Sequence, residues 1–160
     1  MTSGASSTLS KGHRALRRGR HSIAGQIYLV TTVCLGRHPT FADHHAARVA
    51  SRALHSTATL RGAHCLAWVA MPDHVHLLLR LGEGVSLSKA VMHLKTNVAR
   101  QVNRETARSG SLWQRGFHDR ALREDEDVRD AARYIVANPL RAGLAESVGE
   151  YPYWDAVWLD

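Results

Sequence analysis

Two histidines stand one residue apart in an otherwise apolar run, His74 and His76 in "MPDHVHLLLR" (71–80). Alternate residues of a β-strand share a face, about 7 Å apart along the backbone, so both imidazoles would point the same way. Ring nitrogens placed in this way can converge on one divalent ion. Because two ligands hold a metal poorly, a third would have to come from elsewhere in the chain. The spacing predicts a metal site on one face of a strand.

Two other interpretations of the pair stay open at this point. The histidines could simply be two polar side chains at a surface. The neighbouring His64 and Cys65 would also permit a closed zinc site, although adjacent strand residues point to opposite faces.

A second group with chemical potential is Tyr134 and Asn138, four residues apart in the helical pattern "REDEDVRDAARYIVANP". Presented together toward a two-histidine site, the phenol would supply a nucleophile and the amide oxygen a third ligand. The tyrosine could instead be a half-buried core residue, and the asparagine a terminal cap. Because a residue before proline avoids helical geometry, Asn138 could also lie just past the regular helix.

The elements that would position these residues follow the order β α β β α β α. They are a strand at 26–35, a helix from Asp43 to about Leu60, strands at 63–71 and 74–81, a helix from the cap Ser86 to about Thr106, a short edge strand within "SLWQRGFHDRAL", and a last helix that Pro139 stops. This order predicts an α+β fold, a ferredoxin-like antiparallel sheet of four strands with helices packed on it. On the strand at 74–81, alternation predicts a core face made of Val75, Leu77, Leu79 and Leu81.

The charge balance favours a polyanionic partner. The chain has 21 Lys and Arg against 14 Asp and Glu, a net charge of +7, and nucleic acid is the first candidate. Residues 1–22 are predicted to be a flexible basic arm, and 23–160 a single domain. The basic residues most suited to phosphate contacts are Arg14, Arg17, Arg18 and Arg20 in the arm and Lys89, His93, Arg100 and Arg104 on one helix face. That helix face could equally be a solvated surface.

The cysteines and the hydropathy of the sequence indicate the cellular compartment of the protein. Cys34 and Cys65 form neither a CxxC pair nor a disulfide framework, so we expect a reducing cytoplasm. No apolar stretch approaches the ~20 residues of a membrane span.

Three motifs in order carry a resemblance to a known family. "MPDHVHLLL", "LWQRGFHDRAL" and "ARYIVANPLRAGL", preceded by "RGRHSIAGQIYLVTTVCLGRHPTF", resemble the HUH single-tyrosine transposases, and more narrowly the REP-associated tyrosine transposases of bacteria. The match runs from about Arg17 to Leu144. It implies that His74 and His76 bind the metal, that Tyr134 is the nucleophile and that Asn138 completes the metal site. Arg133 and Arg141 flank this site and are candidate phosphate contacts.

The resemblance also implies a reaction and a partner. With Mg²⁺ or Mn²⁺, Tyr134 would attack a DNA phosphate, free a 3′-hydroxyl and form a 5′-phosphotyrosine intermediate. The substrate would be single-stranded DNA folded as a REP-like hairpin, bound by a bacterial, nucleoid-associated protein that we expect to be a monomer. Two alternatives remain, a domesticated hairpin-binding protein that does not cut, and an unrelated metallo-phosphoesterase that activates water.

Overall fold

The computed structural model describes residues 24–56, 59–60 and 62–158. The predicted arm, with Arg14, Arg17, Arg18 and Arg20, lies outside these residues. The elements, in chain order, are β1 Ile27–Val33, α1 His44–Ser56, β2 Thr59–Leu60, β3 Ala63–Ala70, β4 His74–Leu81, α2 Leu87–Thr106, β5 His118–Ala121, α3 Val128–Val136, α4 Asn138–Arg141 and β6 Trp154–Ala156. Short 3₁₀ turns occur at Leu35–Arg37, Thr40–Ala42 and Val148–Glu150.

The strands form one antiparallel sheet in the order β2-β3-β4-β1-β5, and β6 pairs with β3. The antiparallel α+β architecture predicted from the sequence is confirmed, since β1, β3, β4 and β5 are the four expected strands. Within the described part of the chain the sheet has six strands, so the predicted number was too small. The extra strands are only two and three residues long, too short to show a period in the sequence.

Two predicted helix ends were also wrong. The first helix ends at Ser56 instead of near Leu60, and Thr59 and Leu60 pair with His64 and Ala63. A tight connection is possible there because Gly62 adopts a positive φ of 94°. The last long helix ends at Val136, ahead of Pro139, which lies in the first turn of α4. Proline is tolerated in a first turn because the N–H that it lacks has no helical partner there.

One face of the sheet carries the main core under α1 and α2. Val75, Leu77, Leu79 and Leu81 are all at most 1% exposed, as alternation predicted. Each fully buried side chain of this size contributes about 1.5–3 kcal/mol relative to an exposed one. The predicted cap of α2 is confirmed, since the Ser86 hydroxyl accepts a hydrogen bond from the Lys89 backbone N–H at 3.2 Å.

The opposite face carries a smaller core under α3. Leu78 of β4 packs there with Val69 of β3, with Met71 just after β3, and with Ala132 and Ile135 of α3. Of the aromatic residues of the C-terminal segment, Tyr151, Trp154 and Trp158 pack against the same cluster, whereas Tyr153 packs against the main core. This second core holds α3 against β3 and β4, on the face to which the two histidines belong.

None of the described helices combines the length and the apolar composition that a membrane span requires.

Candidate active site

His74 and His76 converge at the start of β4. Their Nε2 atoms are 3.1 Å apart, and the rings meet edge to face with centroids 4.7 Å apart. The two side chains share a face because one residue separates them on a regular strand, with His76 paired to Thr31 of β1 and His74 paired to Val33. The first interpretation of the spacing, two imidazoles directed at one point, therefore agrees with the geometry.

Each imidazole is oriented through its other nitrogen. His74 Nδ1 donates to the Asp73 carboxylate at 2.6 Å, and His76 Nδ1 lies 2.9 Å from the Thr31 hydroxyl. A carboxylate only accepts, so His74 carries a proton on Nδ1, and its Nε2 is the nitrogen that faces His76. A hydroxyl can donate or accept, so Thr31 is compatible with either tautomer of His76.

The electrostatics keep His76 neutral close to a charged carboxylate. Burial, the neighbouring His74 and the Arg141 guanidinium together lower the pKa of His76 to about 4. His76 is therefore uncharged at neutral pH, as a metal ligand must be. Burial would raise the pKa of Asp73, but hydrogen bonds from His74 and Arg37 outweigh it and lower that pKa, so the carboxylate stays ionised.

The histidine pair fits a divalent ion. Two nitrogens 3.1 Å apart, each ~2.1 Å from one ion, would subtend ~95° there, close to the right angle of an octahedral site. Around this point the described residues offer no cluster of three His, Cys, Asp or Glu side chains. A third ligand from the described residues would therefore be of another type, such as an amide.

Asn138 could supply that amide. Its Nδ2 donates to the Ile135 carbonyl at 2.8 Å, so its Oδ1 is the atom left to accept a ligand. Only Ala137 separates α3 from α4, and its backbone is close to helical, with φ −85° and ψ −1°. Asn138 therefore lies just past α3, as a residue before proline could, and begins the next helical turn, about one turn beyond Tyr134.

Tyr134 is presented to solvent and held by an arginine. Its side chain is 65% exposed, so it is not the half-buried core residue that the helical pattern also allowed. The Arg141 guanidinium lies 3.8 Å from the centre of the tyrosine ring and donates to the Tyr134 carbonyl at 2.6 Å. Since the same guanidinium also depresses the pKa of His76, it acts on both the candidate nucleophile and the candidate ligand.

The remaining predicted DNA contacts are dispersed. Arg133 is exposed and forms an ion pair with Asp130, whose Oδ1 is 2.6 Å from its Nη1. Lys89, Arg100 and Arg104 are exposed on α2, in the layer on the opposite side of the sheet. The structure thus brings Arg141 to the histidine face and leaves the α2 stripe on the other face.

Three residues of the site were missed by sequence reasoning. Asp73 was not assigned a functional role from the sequence, although a carboxylate next to a candidate ligand histidine is a usable signal. Thr31 pairs with His76 on one side and with His118 of β5 on the other, so His118 faces the same side as both. No local pattern marks Thr31 or His118, because strand register alone brings them here.

The alternative zinc site at His64 and Cys65 finds no support. His64 is exposed whereas Cys65 is buried, so the two side chains lie on opposite faces, as alternation required. Burial raises the pKa of Cys65 to about 12, which keeps it a neutral thiol and a poor ligand. Cys34 is likewise a buried free thiol, and burial raises its pKa to about 11.

Curated relatives and solved structures resemble this chain. A Haemophilus influenzae protein assigned as a REP-associated tyrosine transposase is 34% identical over 93 residues, 52% of this chain and 53% of that protein. The REP-associated tyrosine transposase of Escherichia coli K12 is 28% identical over 88 residues, 54% of this chain and 50% of that protein. The chain spans about half the length of the curated relatives that it matches.

Among solved structures, a REP-associated tyrosine transposase bound to a REP hairpin superposes with a TM-score of 0.63 at 24% identity, covering 84% of this chain and 79% of that one. A Deinococcus radiodurans protein assigned as a transposase gives a TM-score of 0.54 at 25% identity, covering 75% of this chain and 95% of that one. The first likeness confirms the fold predicted from the sequence.

The family model described as "Transposase IS200 like" matches residues 22–138, which include both histidines, the tyrosine and the asparagine. With a match over most of its length, the chain belongs to the IS200-like transposase family.

Proposed function

We propose that the protein is a metal-dependent transposase that cuts and rejoins single-stranded DNA through a covalent bond to Tyr134. The observation that carries this proposal is the convergence of the His74 and His76 Nε2 atoms at 3.1 Å, on the sheet face that is covered by α3, the helix that carries the exposed Tyr134. A surface pair without function would not need both Nδ1 atoms fixed by separate partners.

The covalent step would exchange one phosphate ester bond for another. The Tyr134 phenolate oxygen attacks the scissile phosphorus, a bond from phosphorus to the phenol oxygen forms, and the bond to the 3′-oxygen breaks. The phenol loses its proton and the 3′-oxygen gains one, so a free 3′-hydroxyl and a 5′-phosphotyrosine result. Because the phosphodiester energy is retained in the protein–DNA bond, the reverse attack by a 3′-hydroxyl can rejoin strands.

Arg141 supports the nucleophile in two ways. The guanidinium packs on the face of the tyrosine ring, 3.8 Å from its centre, and so holds the ring in place. The same cation is also placed to attract the anionic DNA backbone toward the tyrosine. Arg133, by contrast, already neutralises Asp130 and would have to exchange that partner for a phosphate.

The cofactor that we propose is Mg²⁺ or Mn²⁺, held by His74, His76 and the amide oxygen of Asn138. When bound, such an ion would polarise the scissile phosphate and stabilise the charge that develops on its oxygens. Two imidazole nitrogens favour Mn²⁺ over Mg²⁺, which prefers oxygen ligands. Asp73 and Thr31 keep the rings oriented for this role.

The substrate that we propose is a single-stranded DNA hairpin of the REP type. The net charge of +7 suits a polyanion, and a structural neighbour was solved with a REP hairpin. We also propose that one chain is sufficient, because α3, which carries the tyrosine, packs on β3 and β4 of the same chain that carries the histidines.

The test uses single-stranded palindromic oligonucleotides from the DNA flanking the gene, incubated with the protein and either Mn²⁺ or Mg²⁺. A denaturing gel would show a covalent protein–DNA adduct with the wild-type protein. Tyr134→Phe keeps the ring beneath Arg141 and removes only the nucleophilic oxygen, so it is the matched variant.

We expect the adduct in the wild type and none in Tyr134→Phe. Cleavage that survives in the variant would identify water as the nucleophile and contradict the proposal. Tight binding without any cleavage in either protein would identify a hairpin-binding protein instead.

A further inference from the structure

A groove on the other side of the molecule is unexplained by the proposed reaction. It lies between one side of α2 and the segment at 110–117, which we call the α2 groove, and its volume is about 490 Å³. That size is within the range of small-molecule and cofactor sites. Its apolar lining includes Met92, Phe117 and Trp113, and Met92 is 56% exposed.

The groove also holds a cation without a matching acid. Lys95 Nζ donates to the Gln114 carbonyl at 2.9 Å and to the Gly116 carbonyl at 2.8 Å. An ammonium has three donors, so one N–H remains for a further acceptor. Of the described residues that line the groove, none is acidic, whereas Arg115 adds a second positive charge.

Burial of Lys95 makes this arrangement costly without an anion. Loss of hydration lowers the pKa of Lys95, with no carboxylate acting to raise it. Carbonyl dipoles satisfy two donors but do not neutralise the charge. A phosphate would supply both the missing acceptor and the missing negative charge.

The walls of the groove are fixed by more than this lysine. Trp113 donates its Nε1–H to the Lys95 carbonyl at 2.9 Å, and the Gln114 backbone N–H donates to the Val33 carbonyl at 2.8 Å. The segment therefore connects α2 with the end of β1, where Val33 is paired with His74. A DNA strand that leaves the candidate active site past this end of β1 would meet the groove.

From these contacts we propose that the α2 groove binds an unpaired nucleotide of the DNA strand, with its phosphate on Lys95 and Arg115 and its base against Met92 and Phe117. The proposal rests on the proposed single-stranded DNA function and adds a second contact region to it. An unpaired nucleotide is favoured over a duplex, because only an unstacked base can offer its apolar face to an apolar wall.

The experiment compares two fluorescent hairpins in EDTA, so that no cleavage is needed. One hairpin carries a short single-stranded tail and the other is blunt, and affinity is measured by anisotropy. The protein variants are Met92→Glu, which adds a negative charge to the groove, and Met92→Gln, which has the same shape without the charge. Lys95→Met removes the cation, and Arg48→Met on α1 is the matched loss of charge outside the groove.

We expect the tail to strengthen binding by the wild type, and Met92→Glu and Lys95→Met each to weaken binding of the tailed hairpin about tenfold. Met92→Gln and Arg48→Met should change it less than about twofold. Binding of the blunt hairpin should be the same for the two Met92 variants. Because Met92 makes no hydrogen bond to the segment at 110–117, the Met92 pair keeps the test valid even if Lys95→Met loosens that segment.

A second readout places the nucleotide directly. A tail carrying 5-iodouracil should crosslink on irradiation to peptides that contain residues 88–99 or 110–117. Crosslinks elsewhere, or a tail effect that Met92→Glu leaves intact, would overturn the groove proposal. Failure of the wild type to form a tyrosine adduct with Mn²⁺ would overturn the cleavage proposal. It would not affect the anisotropy or crosslinking results, which need no cleavage.

Discussion

The two faces of β4 differ in what covers them. Val75, Leu77 and Leu79 lie beneath α1 and α2, helices of 13 and 20 residues, whereas the opposite face is covered by α3, a helix of 9 residues. The short helix buries Leu78 but leaves the polar groups at the start of the strand uncovered. The His74 side chain there is 21% exposed. The same strand can therefore stabilise the fold with one face and present reactive nitrogens with the other.

The largest expected effect is the difference in stability between mutations on the two faces of β4. Leu77→Ala should lower the free energy of unfolding by about 2–5 kcal/mol, since it opens a cavity in the closed core. His76→Gln, one residue earlier, should change it by less than about 1 kcal/mol yet abolish the tyrosine adduct. Urea denaturation and the adduct gel measure the two effects, and equal destabilisation by both variants would show that the histidine face is also structural core.

The acid sensitivity of the fold should come partly from the histidine face. In the folded protein the pKa of His76 is about 4, against an ordinary 6.5, because burial disfavours its charged form. Between pH 6.5 and 4 the unfolded chain therefore binds a proton that the folded chain does not. Stability should fall across that window by about 3 kcal/mol and be unaffected by this group above it.

Unfolding curves in EDTA at several pH values, compared with those of His76→Gln, isolate this contribution. The difference in stability between the two proteins should vary between pH 4 and 6.5 and be constant above pH 7. A constant difference at every pH would mean that His76 titrates normally in the folded protein.

The partners of the two imidazoles should control metal affinity. Asp73→Asn and Thr31→Val should each weaken Mn²⁺ binding by about 10–100-fold, equal to about 1.4–2.7 kcal/mol, because each frees a ring to rotate. Titration calorimetry measures this without DNA. Asp43→Asn, which alters a carboxylate that caps α1 by accepting from the Ala46 N–H at 2.9 Å, is the control. A similar loss of Mn²⁺ affinity in Asp43→Asn would show that the effect comes from the change in net charge and not from the orientation of the rings.

The smallest expected effect concerns the α2 layer. Neutralising Arg100 and Arg104 to glutamine should reduce the slope of log affinity against log salt by about 1.4, if each contacts one phosphate of a single strand. Neutralising Arg48 and Arg52 on α1 removes the same charge and should leave the slope unchanged. Equal slopes in both double variants would show that the α2 stripe is a solvated surface.

Local patterns predicted the elements that depend on neighbouring residues. The span of α2 follows from its apolar period and the Ser86 cap, and the alternation of β4 follows from a strand period of two. The last helix was recognisable from its acidic start, where Asp127 accepts hydrogen bonds from the N–H groups of Arg129 and Asp130. The short strand β6 left no such pattern, because it exists only by pairing with β3.

By itself, the sequence determined that His74 and His76 share a face and that Tyr134 and Asn138 lie about one helical turn apart, because these relations depend only on the period of a strand or helix. Tertiary structure alone decided that Thr31 meets His76, that Arg141 stacks on Tyr134, and that the α2 stripe lies on the opposite layer from the histidines. Strand register and helix packing bring together residues far apart in the chain, and no local period encodes which of them will meet.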